Sequence, residues 1–194
     1  HSIDNDRYVI DGKYRQVMLS AREINTQSMP NQTWVNQHLT FTHGYGLTLG
    51  PVNQVTTEGL PLLMIRDLPP VSTVDLQVRQ PSIYYGELTN DYVLVKARQP
   101  EFHYPTKSGN ENTFYDGAGG VSMGSLLRRL WFAIRFASTD LLVTSQVTPE
   151  TRILFNRNVV ERVARIAPFL TLDADTYPVL QEGRILWVHV AYTT

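Results

Sequence analysis

A long segment rich in glycine and proline most constrains what this chain can fold into. Residues 36–70 contain Pro51, Pro61, Pro69 and Pro70. Each proline lacks an N–H donor and restricts φ, which disfavours a long helix there. The segment also carries apolar anchors: Phe41, Tyr45, Leu47, Leu49, Leu60, Leu62, Leu63, Met64 and Ile65. We therefore expect a long loop of defined shape, either functional or held by a scaffold.

Composition limits the classes of protein to which the chain can belong. Its 194 residues suit a single soluble domain over 1–194. The formal net charge is −1, so no basic face is implied and nucleic acid is not an expected partner. The chain has no cysteine, which excludes disulfides and cysteine-based metal or thiol chemistry.

Two hairpins are predicted, one near each end of the chain. In residues 7–24, a β-rich run precedes Asp11-Gly12, a strong signal for a tight turn. Residues 176–194 repeat this plan around Glu182-Gly183. Shorter strands are predicted within residues 74–78, 83–86 and 92–97, whereas residues 99–120 are predicted to be loop.

A first helix is predicted from about Gly124 to Phe136. Large apolar residues recur there at helical spacing: Leu126, Leu127, Leu130, Trp131 and Ile134. We expect this face to be mostly buried against a sheet, because large apolar side chains favour burial. A second interpretation is that the same face meets a partner or a bilayer.

A second helix is predicted to begin at Thr148, with Pro149 at its first position and Pro168 after its end. Its expected buried residues are Ile153, Leu154, Val160, Val163 and Ala167. Together these elements predict an α+β fold in which an antiparallel sheet, including both terminal hairpins, packs against two helices.

The glycine-rich loop before the first helix is the main candidate for chemistry. Residues 120–124 match the G-x-S-x-G pattern of a serine nucleophile. A catalytic triad would then consist of Ser122, His189 and one of Asp140, Asp173 and Asp175. We do not expect this triad, because no buried strand is predicted before the motif. Backbone N–H groups at a helix N-terminus bind anions. The candidate anion-binding residues are Gly119, Gly120, Ser122, Ser125 and Arg128. The loop lacks the lysine of a P-loop, so nucleotide binding is not indicated.

Histidines in the long loop are a second candidate. His38 and His43, with His103, Glu58 or Asp67, fit no standard metal-ligand spacing, so no metal site is predicted. We keep His38 and His43 as candidate ligand-binding residues. Asp173 and Asp175 are interpreted as a solvated turn, because calcium loops need more oxygen ligands. No cofactor is predicted.

Several segments together resemble a known family. They are Asn36–Gly46, Pro51–Thr56, Gln80–Glu87, Gly124–Arg129, Thr148–Leu154 and Ala167–Asp175. In these segments, which span nearly the whole chain, it is similar to number 0182 of the uncharacterised-protein-family series, large bacterial membrane proteins. The resemblance implies membrane helices N-terminal to this chain and a large extracytoplasmic region of which it is a part. It implies no catalytic residue.

These observations favour a non-enzymatic extracytoplasmic domain of a bacterial membrane protein, acting by binding or assembly. The expected location is the extracytoplasmic face of the cell membrane. The membrane would be reached through the absent helices, and the partner would be a protein or a cell-envelope ligand. One alternative is a cell-envelope hydrolase or transferase that uses Ser122, Asp173 or Asp175. Another is a sensor of a small ligand or anion at the glycine-rich loop.

Overall fold

The computed structural model describes residues 3–193, which fall into two compact units. Unit 1 comprises the described residues up to Glu23, His43–Glu87, and the described residues from Asn158 onward. Unit 2 comprises Ile24–Thr42 and Leu88–Arg157. The expectation of one soluble domain stays a prediction.

Strands outnumber helices along residues 3–193. The strands are β1 (Asp4–Ile10), β2 (Lys13–Ala21), β3 (Gly44–Tyr45), β4 (Leu47–Pro51), β5 (Ile65–Arg66), β6 (Val71–Ser72), β7 (Ser82–Ile83), β8 (Val93–Val95), β9 (Glu101–Thr106), β10 (Gly109–Thr113), β11 (Val121–Ser122), β12 (Arg152–Leu154), β13 (Thr171–Gln181) and β14 (Arg184–Tyr192). The helices are α1 (Leu126–Arg135), α2 (Asp140–Val143) and α3 (Val159–Ile166). A 3₁₀ turn covers Thr26–Ser28 and a π-helical turn covers Asn36–Thr40.

Unit 1 is built on an antiparallel sheet in the order β1-β2-β4-β5-β6. The β1–β2 turn has positive φ at both Asp11 and Gly12, the backbone of a tight hairpin turn that asparagine, aspartate and glycine tolerate. The predicted N-terminal hairpin is therefore confirmed. Buried residues of this sheet and of β13 form the core of unit 1: Ile10, Val17, Leu19, Leu47, Leu49, Met64, Ile65 and Leu180.

The C-terminal hairpin also forms, as β13 and β14, but in a sheet of its own. The expectation that both hairpins share one sheet is therefore wrong. The physical reason is that β13 and β14 satisfy each other's backbone groups, and β13 packs on the sheet through side chains instead of pairing with an edge strand. The two hairpins instead meet through side chains, since Leu180 is buried in the same core and its N–H donates to the Tyr8 hydroxyl at 2.7 Å.

Unit 2 contains a three-stranded antiparallel sheet in the order β11-β12-β8 and a separate β9–β10 hairpin. Its core consists of Leu39, Tyr92, Leu94, Ala97, Met123, Phe132, Ala133, Leu141 and Ile153. Both units thus combine antiparallel strands with helices, which confirms the predicted α+β class.

The predicted second helix is wrong over its first half. Ile153 and Leu154 are fully buried in the central strand β12, and the helix that follows covers only Val159–Ile166. Asn156 adopts positive φ, which ends the extended segment. Asn158, instead of Thr148, is the N-cap, and its side chain accepts a hydrogen bond from the Glu161 N–H at 3.1 Å.

Three other segments differ from the prediction. Residues 99–120, expected to be loop, contain the β9–β10 hairpin. The segment 74–78 forms no strand, and the strand expected within 83–86 is reduced to Ser82–Ile83. Within residues 3–193, no helix is long and apolar enough to span a membrane.

Candidate functional site

Helix α1 turns its leucines, its isoleucine and Trp131 away from the core of unit 2. Phe132 and Ala133 are buried at 3% and 7% exposure, whereas Leu127 and Ile134 are 78% and 73% exposed. Trp131 is 55% exposed. The expectation that Leu127, Leu130, Trp131 and Ile134 are mostly buried is therefore wrong.

The rotation of α1 is explained by the contacts of Arg129. Its Nε donates to the Leu141 carbonyl at 3.1 Å, and its Nη2 donates to the Leu142 and Thr144 carbonyls at 2.8 and 3.2 Å. These carbonyls lie at the C-terminal end of α2, where a cation is favourable. Arg129 shares one helix face with Phe132, Ala133 and Phe136, so fixing Arg129 against α2 directs that face inward.

Aromatic packing reinforces the same orientation. The Phe132 ring lies 5.5 Å from the Phe155 ring, and the Phe136 ring lies 4.5 Å from the Tyr92 ring, measured between centroids. Such pairs contribute about 0.5–1.5 kcal/mol each beyond the burial of their area. The inward face of α1 therefore packs through aromatic contacts, and the described residues of unit 2 leave the opposite face exposed.

We call this outward surface the α1 face; it consists of Leu126, Leu127, Leu130, Trp131 and Ile134, all more than two-fifths exposed. Arg128 is exposed beside it. The Arg135 guanidinium lies 5.4 Å from the centroid of the Trp131 ring, within range of a cation–π contact. Contiguous exposed apolar residues with a charged border are typical of an interaction surface.

The glycine-rich loop precedes α1 in unit 2. Arg152 donates from Nε to the Gly119 carbonyl and from Nη2 to the Gly120 carbonyl, both at 2.7 Å. The Gly119 N–H donates to the Tyr115 hydroxyl at 3.2 Å. The loop is thus tied to β12 by an arginine that sequence reasoning missed; its position opposite the glycine loop depends on the pairing of β11 with β12.

Ser122, Ser125 and Arg128 also lie in this part of unit 2. The Ser122 Oγ accepts a long hydrogen bond from the Gly124 N–H at 3.4 Å. Ser125 is the N-cap residue of α1, but its side chain makes no capping hydrogen bond. Anion binding by these residues stays a prediction, and a helix N-terminus by itself does not define a site.

His38 lies in a cleft of about 470 Å³ in unit 2, together with Trp34, Asp91, Phe136 and Asp140. Its ring stacks on that of Tyr92 at a centroid distance of 4.0 Å, and its Nδ1 lies 2.7 Å from the Tyr92 carbonyl oxygen, which accepts the hydrogen bond. Burial lowers the pKa of His38 below 6.5, although the hydrogen bond to the Tyr92 carbonyl and the charge of Asp91 oppose the shift. The stack and the hydrogen bond to Tyr92 fix the orientation of the imidazole ring.

His43 belongs to unit 1, so the two predicted histidines are not brought together within one unit. It is 1% exposed, and its ring stacks on Tyr84 at 4.6 Å. Ser122 and His189 are likewise in different units, and the His189 Nδ1 lies 2.7 Å from the Thr176 Oγ1. Among residues 3–193, no group of three or more histidine or carboxylate side chains is placed to hold a metal ion.

Comparison with known proteins shows the class to which this α+β chain belongs. The model of the uncharacterised protein family UPF0182 matches residues 1–194. The chain belongs to this family, as its sequence segments indicated.

Three relatives illustrate the match. UPF0182 proteins from Trichlorobacter lovleyi and Pelobacter propionicus are 50% and 51% identical over 192 residues, 98% of this chain and 22% and 21% of theirs. One from Pelotomaculum thermopropionicum is 50% identical over 196 residues, 99% of this chain and 21% of its own. The chain thus spans about a fifth of the length of these relatives. No solved structure matches it.

Proposed function

We propose that this chain is a non-enzymatic extracytoplasmic domain of a bacterial membrane protein, and that it acts by docking onto a partner surface. The observation that carries the proposal is the exposed α1 face. A folded unit rarely leaves several large aliphatic side chains and a tryptophan side by side in water unless they meet another surface.

The relative lengths support this proposal. Because the chain spans about a fifth of the length of its relatives, most of a full-length protein lies outside it. A face left exposed in this chain is then available to whatever surrounds the region in the whole protein. The hydrogen bonds from Arg129 to carbonyls of α2 keep the α1 face directed outward, so specific contacts support this orientation of the helix.

Site-specific labelling of the full-length protein in whole cells tests both location and docking. Lys107 is exposed in the β9–β10 turn of the same unit, and this chain has no native cysteine. A membrane-impermeant maleimide should label Lys107→Cys above the background of the parent protein. It should label Leu127→Cys much more slowly, because the α1 face is covered in the assembled protein.

The two variants test different parts of the proposal. If Lys107→Cys reacts only after the cells are opened, the extracytoplasmic location is wrong. If Leu127→Cys reacts as fast as Lys107→Cys in intact cells, the docking role is wrong.

The non-enzymatic part of the proposal is tested separately at Ser122. The Ser122 Oγ accepts a hydrogen bond from the Gly124 N–H, and the Nδ1 of His189, the histidine that would complete a triad, lies 2.7 Å from the Thr176 Oγ1. A fluorophosphonate probe should therefore leave the chain unlabelled. Labelling that disappears in Ser122→Ala would instead establish a serine nucleophile and a hydrolase.

A further inference from the structure

We propose that the partner of the α1 face is the interface of an anionic lipid bilayer, with α1 lying parallel to its plane. This inference rests on the docking role proposed above and names its partner. In this arrangement Leu127, Trp131 and Ile134 enter the boundary between headgroups and acyl chains, and Arg128 and Arg135 meet lipid phosphates.

The charges of α1 support a lipid surface. Its charged residues are Arg128, Arg129 and Arg135, and it has no acidic residue. Arg129 is engaged by α2. Arg128 is exposed beside the apolar face, and Arg135, also exposed, lies at the border between Trp131 and the inward rings of Phe136 and Phe155. Leucine and tryptophan on one side of a helix, with arginine bordering them, are typical of helices that bind anionic membrane surfaces.

The geometry of Arg135 and Trp131 fits the same environment. The guanidinium lies 5.4 Å from the Trp131 ring centroid, and 5.6 and 5.5 Å from those of Phe136 and Phe155, so a cation lies at the edge of the apolar face beside the exposed Trp131 ring. Tryptophan and arginine both favour the headgroup level, where the apolar part is buried and the polar part reaches water or phosphate.

A second copy of the chain fits the α1 face less well. An antiparallel two-fold contact between two such faces would bring the bordering arginines of both copies together without an acidic residue on either helix. A helix of this length is also only about 15 Å long, which gives a small protein–protein contact. A bilayer provides both anionic groups and an extended apolar phase.

Vesicle co-sedimentation of the 194-residue chain tests the proposal. Vesicles of equal parts phosphatidylglycerol and phosphatidylethanolamine should bind the chain, and vesicles of phosphatidylcholine alone should bind it far more weakly. Binding to the anionic vesicles should weaken as salt is raised. Ile134→Gln should reduce the partition coefficient by roughly tenfold or more, because an aliphatic side chain no longer enters the interface.

Helix α3 offers matched controls. Ile166 is 70% exposed, close to the 73% of Ile134, and also lies on a helix. Arg165 is likewise exposed on α3 and pairs with Glu161 at 3.8 Å. Ile166→Gln and Arg165→Gln should leave vesicle binding unchanged, whereas Arg128→Gln should weaken binding to anionic vesicles only. Denaturation midpoints of all variants confirm that each one is folded.

Each result either supports or overturns the bilayer assignment. It is overturned if the folded parent binds neither vesicle, if it binds both equally, or if Ile134→Gln and Ile166→Gln behave alike. It is also overturned if Ile134→Gln instead abolishes self-association of the chain. In these cases protection of Leu127→Cys in the full-length protein still decides, independently, whether the face docks at all.

Discussion

Strand β12 and helix α1 belong to the same unit and are similarly apolar, yet they lie in opposite environments. Ile153 and Leu154 in β12 are fully buried, whereas Ile134 and Leu127 in α1 are largely exposed. Ile153 and Leu154 are consecutive in the strand and point to opposite faces of the sheet, and both are buried, whereas the neighbouring Arg152 is only partly buried. A helix contacts the core along one stripe, and α1 has two stripes that would serve. Apolar residues therefore indicate which side chains could be buried, and contacts with neighbouring elements decide which of them are.

The largest expected difference is between two isoleucines of this pair. Ile153→Ala should lower the free energy of unfolding by about 2–5 kcal/mol, because it leaves a cavity in a closely packed core. Ile134→Ala should change it by less than about 0.5 kcal/mol, apart from the small effect of helix propensity. Chemical denaturation of both variants measures this difference, and equal losses would mean that α1 is buried like β12.

The arginines of α1 give the next largest effect. Arg129→Met should cost about 1–3 kcal/mol, because it leaves carbonyls at the end of α2 without their charged donor. Its neighbour Arg128 is exposed, so Arg128→Met should be nearly neutral. If both variants have the same denaturation midpoint, Arg129 does not fix the rotation of α1.

The His38 cleft should show in the pH dependence of stability. Burial lowers the pKa of His38 in the folded chain below its ordinary 6.5, so the unfolded chain binds the proton first. Protonation of His38 therefore does not affect the free energy of unfolding above pH 6.5. It lowers that free energy progressively as the pH falls from 6.5 to the folded pKa. His38→Asn should flatten that part of the stability curve. A curve identical to the parent's would place His38 in solvent.

A small effect is also expected at Trp131. Because its side chain is 55% exposed and points away from the core, Trp131→Ala should cost less than about 1 kcal/mol, well below the roughly 3–5 kcal/mol expected of a buried tryptophan. The denaturation midpoint measures this. A decrease of roughly 3–5 kcal/mol in the free energy of unfolding would instead support burial of Trp131, as predicted from the sequence.

The elements that local chemistry determines are predictable from the sequence. Asp11-Gly12 indicates its turn directly, because aspartate and glycine tolerate positive φ, whereas at Glu182-Gly183 the glycine between two β-rich runs is the signal. The expectation that both hairpins share one sheet fails because β13 packs on the core of the N-terminal sheet through side chains instead of hydrogen bonding to one of its edges, and a turn signal does not distinguish these outcomes. An N-cap pattern at Thr148 predicts a helix for residues 152–154, whereas pairing with β8 and β11 makes them a strand.

The candidate site is predictable only in part. The sequence indicates the stripe Leu127, Leu130, Trp131 and Ile134, but the spacing of this stripe is matched by Arg129, Phe132, Ala133 and Phe136. The second stripe contains an arginine and therefore resembles a solvent-facing side. What selects it for burial is a set of carbonyls supplied by α2, and helical periodicity contains no information about such a tertiary contact.

The absence of native cysteine allows a direct test of the central claim that the α1 face is exposed while β12 is buried. Single Leu127→Cys and Ile153→Cys variants of the 194-residue chain would be reacted with a thiol reagent under native conditions, each against its own rate in denaturant. Leu127→Cys should react within a few-fold of its denatured rate. Ile153→Cys should be slowed by about a thousandfold or more, because it reacts only after opening. Strong protection of Leu127→Cys in the isolated chain would contradict the account.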